Sequence, residues 1–239
     1  MFEYQTIATP KGEWNIVKVN LDISSDFISR AARQAKLKAL HTIQAGQDGR
    51  ERSQKLKLQN QFRGMIAEIY AVELIKSWLA ESNLNNCEVI RYDDVRTDNF
   101  ESPQNEYDIK IRNNSNNKII KIESRSSLTY KRNLTQAIND LDIIGPYISS
   151  AKPKESYVDY YIRPLFDNIK PMQAEDFGDF LKQKLISFYF VAGCNKKMMI
   201  EQGLFKNMKQ STSQYKCIPI IQGLDIFEFK NEIIHELKI

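Results

Sequence analysis

Histidine is nearly missing from this 239-residue chain, which has only His41 and His235. Metal centres and nucleases built on several histidines are therefore excluded, as are paired HxK phosphodiesterase motifs. The three cysteines, Cys87, Cys194 and Cys217, are scattered without CxxC spacing. An odd, unpatterned set fits a reducing cytoplasm, where the protein is expected to reside. No GxxxxGK[ST], GxGxxG or GxSxG sequence occurs, so the usual phosphate-cradling and nucleophile-elbow signals are missing. No stretch approaches the roughly 20 apolar residues of a membrane span. Residues 1–20 have no long apolar core and no small-residue cleavage site, so no signal peptide is expected. No internal repeat is visible.

What the chain does have is a substantial apolar share and many charges. A hydrophobic content of 42% supports a real core. The length suits one domain, residues 60–239, with a basic and mainly helical extension over residues 1–59 forming one compact unit with it. The formal net charge is +4 and the isoelectric point about 8.8, compatible with a nucleic-acid partner. With histidine scarce, carboxylates are the groups left to bind a metal, and their hard oxygens suit Mg²⁺.

Between Arg30 and Arg63 there are nine cations against two acids, Asp48 and Glu51. The first four, Arg30, Arg33, Lys36 and Lys38, fall on a helix expected from Asp26 to Leu40, capped by Ser24 or Ser25. Arg50, Arg52, Lys55, Lys57 and Arg63 follow a turn at residues 45–49. Such a run is either a solvated helical face or an arm that meets the DNA backbone, since phosphates are contacted mostly by Lys and Arg.

Residues 60–81 give the clearest helix, with Phe62, Met65, Ile66, Ile69, Val72, Ile75 and Leu79 at helical spacing. Glu68 falls inside that stripe. A buried, unpaired carboxylate is expensive, so Glu68 either reaches water at the stripe's edge or has a partner or ligand. A strand is expected over residues 87–92. Asp93, Asp94 and Asp98 then form a polar loop, read as turn chemistry or as an alternative metal cluster.

Residues 106–127 read as two strands joined by the turn Asn113-Asn114-Ser115-Asn116-Asn117. Alternation at period two puts Asp108, Lys110 and Arg112 on one face of the first strand. It puts Lys121, Glu123 and Arg125 on one face of the second. Folded as a hairpin, the pair brings Asp108 and Glu123 near each other with cations beside them. Beyond it a helix is expected over residues 129–144, whose start carries Lys131 and Arg132, positioned to meet a phosphate or simply solvated. Strands are expected over residues 157–163, 185–191 and 215–221, and helices over 196–202 and 224–237. Tyr160, Tyr161 and Tyr189 are read as core, with base stacking the minority alternative.

An Asp, a hairpin, then Glu-x-basic on the next strand resembles the centre of the PD-(D/E)xK nuclease superfamily, which includes many restriction endonucleases. Here the pieces are Asp108 and Glu123-Ser124-Arg125. Arg63-Gly64-Met65-Ile66-Ala67-Glu68 is similar to the helix that precedes the first core strand in such nucleases. No Pro precedes Asp108, and Arg125 stands where Lys is usual.

The resemblance implies an α/β fold with a restriction-endonuclease-like core, a mixed central sheet flanked by helices. It implies a Mg²⁺-dependent endonuclease cutting duplex DNA, acting as a homodimer, with a cognate DNA methyltransferase as a possible partner. Asp108, Glu123, the Ser124 carbonyl and Glu68 would hold the metal, and Gly64 would let the helix pack closely on the sheet. Arg125 would meet the scissile phosphate, unless Lys110 or Lys121 takes the usual Lys role. The alternative is a non-catalytic DNA-binding or assembly module on a degenerate nuclease fold.

Overall fold

The computed structural model describes residues 2–21, 25–42, 53–102, 107–148, 155–167, 188–207 and 214–239. The chain opens with a β-hairpin, where the sequence suggested a mainly helical extension. Strands β1 (Phe2–Thr9) and β2 (Gly12–Val19) pair antiparallel over their full length. Gly12 sits at φ +107°, a conformation L side chains rarely adopt, and closes the turn. The reason for the strand is visible in β2, which buries Trp14, Ile16, Val17 and Val19. β2 joins the central sheet by pairing with β9 (Phe188–Asn195).

Helix α1 (Asp26–His41) buries Ile28, Ala31, Ala35 and Ala39. Small residues at i, i+4 and i+8 let it lie against α2 (Gln54–Glu81). α2 is capped by the Ser53 hydroxyl, which accepts from the Leu56 N–H at 3.2 Å. The boundary expected at residue 59 falls inside α2. The N-terminal region is thus continuous with the rest through both a helix and a sheet.

The central sheet has the order β1-β2-β9-β8-β5-β4-β3. β3 (Cys87–Arg91), β4 (Ile109–Asn113) and β5 (Ile119–Ser124) form an antiparallel meander. β8 (Tyr160–Phe166) then runs parallel to β5, and the two-residue β6 (Ser127–Leu128) also pairs with β8. The sheet is therefore mixed and is flanked by helices. Helix, three strands, helix, strand is the order expected from residue 60 onward.

One expected helix is much shorter than anticipated. α4 spans only Leu134–Asp140, closed by an Asn133–Gln136 capping box. The chain then forms β7 (Asp142–Ile148), where β-branched Ile143 and Ile144 precede Gly145-Pro146. β7 is an edge strand of a second sheet, ordered β10-β11-β7, with β10 (Leu204–Asn207) and β11 (Gln214–Pro219). An edge tolerates Pro146, which has no N–H to donate. Pro164 in β8 is accommodated at a register shift between Arg163 and Pro164. The four-residue α3 (Tyr92–Val95), α5 (Lys196–Glu201) and α6 (Ile226–Lys238) complete the α-helices among the described residues, and a 3-10 turn covers Ile220–Gln222.

The sheet is buried on both faces. Ile109, Ile111, Ile120, Ile122, Tyr160 and Ile162 pack with α1, α2 and α6. Tyr161, Leu165, Val191 and Ala192 pack on the other side with Ala137, Ile143, Met199 and Ile218. Each large side chain so buried stabilises the fold by about 1.5–3 kcal/mol. Tyr160 and Tyr161 are core, and Tyr189 is half-buried against it.

Candidate functional site

The β4–β5 hairpin is built by its asparagines. The Asn113 side chain accepts from the Ser115 N–H at 2.8 Å, and Asn116 accepts from Lys118 N–H at 3.0 Å. Asn117 takes a left-handed φ of +59°. At the open end the Asp108 N–H donates to the Ile122 carbonyl at 3.1 Å. The Ser124 N–H donates to Asp108 Oδ2 at 2.8 Å. Asp108, 9% exposed, is thereby fixed across from the Glu123-Ser124-Arg125 end of β5. Lys110 and Lys121 face each other in the β4–β5 register and both lie over the Tyr107 ring, at 5.7 and 5.3 Å.

Glu68 projects from the buried stripe of α2 and is 6% exposed. Its Oε2 is 3.2 Å from Arg91 Nη1. The Arg91 guanidinium is fully buried and is held more closely by Asp94, at 2.7 Å, and also by Gln34. Arg91 therefore belongs first to Asp94, which leaves Glu68 the weaker partner. Burial and the nearby Asp108 charge push the Glu68 carboxyl up to about 8, against the pull of Lys38 and Arg91.

Lys38 of α1 contacts Asp93 at 2.9 Å. Burial works to lower its ammonium pKa, yet the fields of Glu68, Asp93 and Asp108 leave it raised. Asp93 also meets Arg96, which pairs with Asp98 at 2.7 Å. The loop acids are thus paired with Lys38, Arg91 and Arg96.

Glu123 repeats the Glu68 arrangement at the end of β5. Arg125 Nη2 is 2.8 Å from Glu123 Oε1 and 2.7 Å from Glu155 Oε2. Its guanidinium stacks over the Tyr147 ring at 5.0 Å. Burial pushes Glu123 up to about 8; Arg125 opposes this, while Asp108, Glu155 and Glu68 add to it. Beneath, Arg163 donates to the Arg125 carbonyl and, at 2.8 Å, to Ser127 Oγ. Burial lowers Arg163 to about 10. Glu68, Asp108 and Glu123 therefore lie close enough to feel one another's charge. Among the described residues, no trio of His, Cys, Asp or Glu forms a ready-made metal cage.

The expected DNA-contacting residues are dispersed. Arg50 and Arg52 lie outside the described residues. Lys55 and Lys131 are exposed, the latter in a left-handed turn at φ +68° that follows Tyr130 at +53°. Lys57 is a correction: it is buried, and its ammonium donates to the Thr42 carbonyl at 3.1 Å. Helical spacing turns Lys57 toward α1. Arg63 is half-buried beside Asn60, and burial lowers its pKa. Arg132 is paired with Asp140 at 2.8 Å. Gly64 departs from expectation too. A Cβ there would meet only Glu68 Oε1, at an ordinary contact distance of 3.9 Å, so no close approach of helix to sheet requires this glycine.

Lys38, Arg91, Glu155 and Tyr147 were not singled out by sequence for this site. Only Lys38 carried a signal, as part of the basic run. A cavity of about 470 Å³ lies at the start of β8, lined by residues such as Asp159, Asn195 and Lys196, and does not include the acids.

Among the described residues no helix is long and apolar enough to cross a membrane. No family model matches the chain, and no solved structure matches it. The chain is similar to the uncharacterized protein MJECS01 of Methanocaldococcus jannaschii, at 29% identity over 247 aligned positions. The alignment covers 92% of this chain and 87% of that one, so the likeness runs along most of the sequence rather than through the hairpin alone.

Proposed function

We propose that the protein is a Mg²⁺-dependent deoxyribonuclease on a restriction-endonuclease-like core, cutting duplex DNA in the manner of a type II restriction enzyme. The observation that carries this reading is the Asp108 carboxylate held on the Ser124 N–H at 2.8 Å beside Glu123, with the Asp108 charge adding to burial in pushing up both Glu68 and Glu123. Carboxyl groups gathered in this way suit a divalent cation. The donors are all oxygens, and Ser124, between Asp108 and Arg125, has a buried hydroxyl with no partner.

When bound, Mg²⁺ supplies a lowered water pKa and Lewis-acid assistance at the phosphate. The chain's own residues do the rest. Asp108 is oriented by the Ser124 N–H. Burial pushes the Glu68 and Glu123 carboxyls up to about 8, so they would have to give up protons to hold the cation and its affinity would rise with pH. Arg125 offers N–H groups to the phosphate and takes no proton, because a guanidinium pKa exceeds about 12. Lys38 adds a second positive charge facing Asp108 and Glu68. Lys55 and Lys131 are placed on the surface for flanking phosphates. A homodimer would present two such centres to the two strands, with a methyltransferase protecting the host's own sites.

A non-catalytic DNA-binding module is the second reading. It is favoured by the protein partner that each acid already has. Incubating purified protein with modified and unmodified duplex DNA, with and without Mg²⁺, separates the two. Discrete fragments that vanish in Asp108→Ala support the nuclease. Salt-sensitive binding without cleavage on any substrate supports the module.

A further inference from the structure

We infer that Glu155 is the alternate seat of Arg125 and thereby frees Glu123 to hold a divalent cation. The inference rests on the metal-dependent reading above and adds a residue to it.

One nitrogen, Arg125 Nη2, is shared by Glu123 Oε1 and Glu155 Oε2 at 2.8 and 2.7 Å. Arg125 is within ion-pair distance of both carboxyl groups, so it can give up one of them and still be paired. Glu155 does not depend on Arg125 for its own position. Its Oε2 also accepts from the Tyr147 N–H at 3.0 Å, and its N–H donates to the Tyr147 carbonyl at 3.4 Å. The arginine is likewise anchored apart from Glu123, by the Tyr147 ring and by the Arg163 hydrogen bond to its carbonyl. A cation and Arg125 compete for the same Glu123 carboxylate. Without Glu155, giving up Glu123 would leave Arg125 without its ion pair at a site only a quarter exposed, which is costly. With Glu155 in place, Arg125 keeps a partner and Glu123 is released.

Mn²⁺ titration of the full chain without DNA, followed by calorimetry, tests this with no reliance on cleavage. Glu155→Gln keeps an oxygen for the Tyr147 N–H but lowers the competing charge on Arg125. It should weaken Mn²⁺ binding by about tenfold, in the range typical of residues that support metal ligands. Arg125→Met removes the competitor and should bind Mn²⁺ at least as tightly as wild type. In the Arg125→Met background, Glu155→Gln should then have almost no effect. If the loss persists in that background, Glu155 is itself a ligand and the inference is overturned. Unchanged binding in Glu155→Gln, or weaker binding in Arg125→Met, overturns it as well. If the wild-type chain binds no Mn²⁺, the metal-dependent reading falls first and this inference with it.

Discussion

Two arginines in this protein each stand between two acids, and they are not equivalent. Arg91 bridges Glu68 and Asp94 with its side chain wholly excluded from water, while α1 closes over it through Gln34. Arg125 bridges Glu123 and Glu155 with a quarter of its side chain exposed, over an aromatic face. The chemistry of the two bridges is the same and the surroundings differ. In the dry interior a broken pair leaves an uncompensated charge, so the Arg91 bridge is fixed. Nearer water the charges are screened, so the Arg125 bridge can exchange partners. One bridge ties helix to sheet, and the other is the one the proposed chemistry would use.

The largest expected effect comes from removing the buried cation. Arg91→Met strands the buried Glu68, while Asp94 keeps Gln34 and Arg30, and should destabilise the fold by about 3–5 kcal/mol in chemical denaturation. Arg125→Met should cost well under half of that. Equal losses would erase the distinction between the bridges.

Next is Arg125→Lys, which keeps the charge and loses the planar fork. Cleavage should slow by about 10²-fold with stability nearly unchanged. A variant as fast as wild type would move the phosphate contact elsewhere, Lys38 first.

Lys38→Met is smaller and has a definite sign. Lys38 lowers the proton affinity of Glu68, so without it Glu68 keeps its proton to higher pH. The pH profile of Mn²⁺ binding should shift to the alkaline side. An acid shift would contradict the placement of Lys38.

The pH dependence of cation-free stability has a definite sign as well. Glu68 and Glu123 have folded-state values near 8, above the ordinary 4.5, so the folded state holds the extra protons in that window. Their contribution is complete below about 4.5 and is lost as pH rises toward 8. The melting temperature should fall over that range, and Glu68→Gln should flatten the slope.

The hairpin was legible because period-two alternation and a run of asparagines are local signals. Glu68 was legible because a carboxylate inside an apolar stripe needs a reason to be there. Glu155 and Arg91 were not, because nothing near them in sequence announces partners 30 and 23 residues away. The strand at residues 142–148 was hidden by the helical pattern just before it and became a strand by pairing with β11, far along the chain. Lys57 looked like the other cations of a basic run, and only the packing of α2 against α1 turned it inward. The N-terminal hairpin takes its place in the central sheet only by pairing with β9, far along the chain.

The central claim is that Glu68, Asp108 and Glu123 gather one divalent cation at the end of the hairpin. Anomalous diffraction from crystals soaked in Mn²⁺ tests it most directly. The account predicts a peak between Asp108 and Glu123, with Arg125 drawn toward Glu155. A peak among Asp93, Asp94 and Asp98 instead, or none on the protein at saturating Mn²⁺, would contradict it.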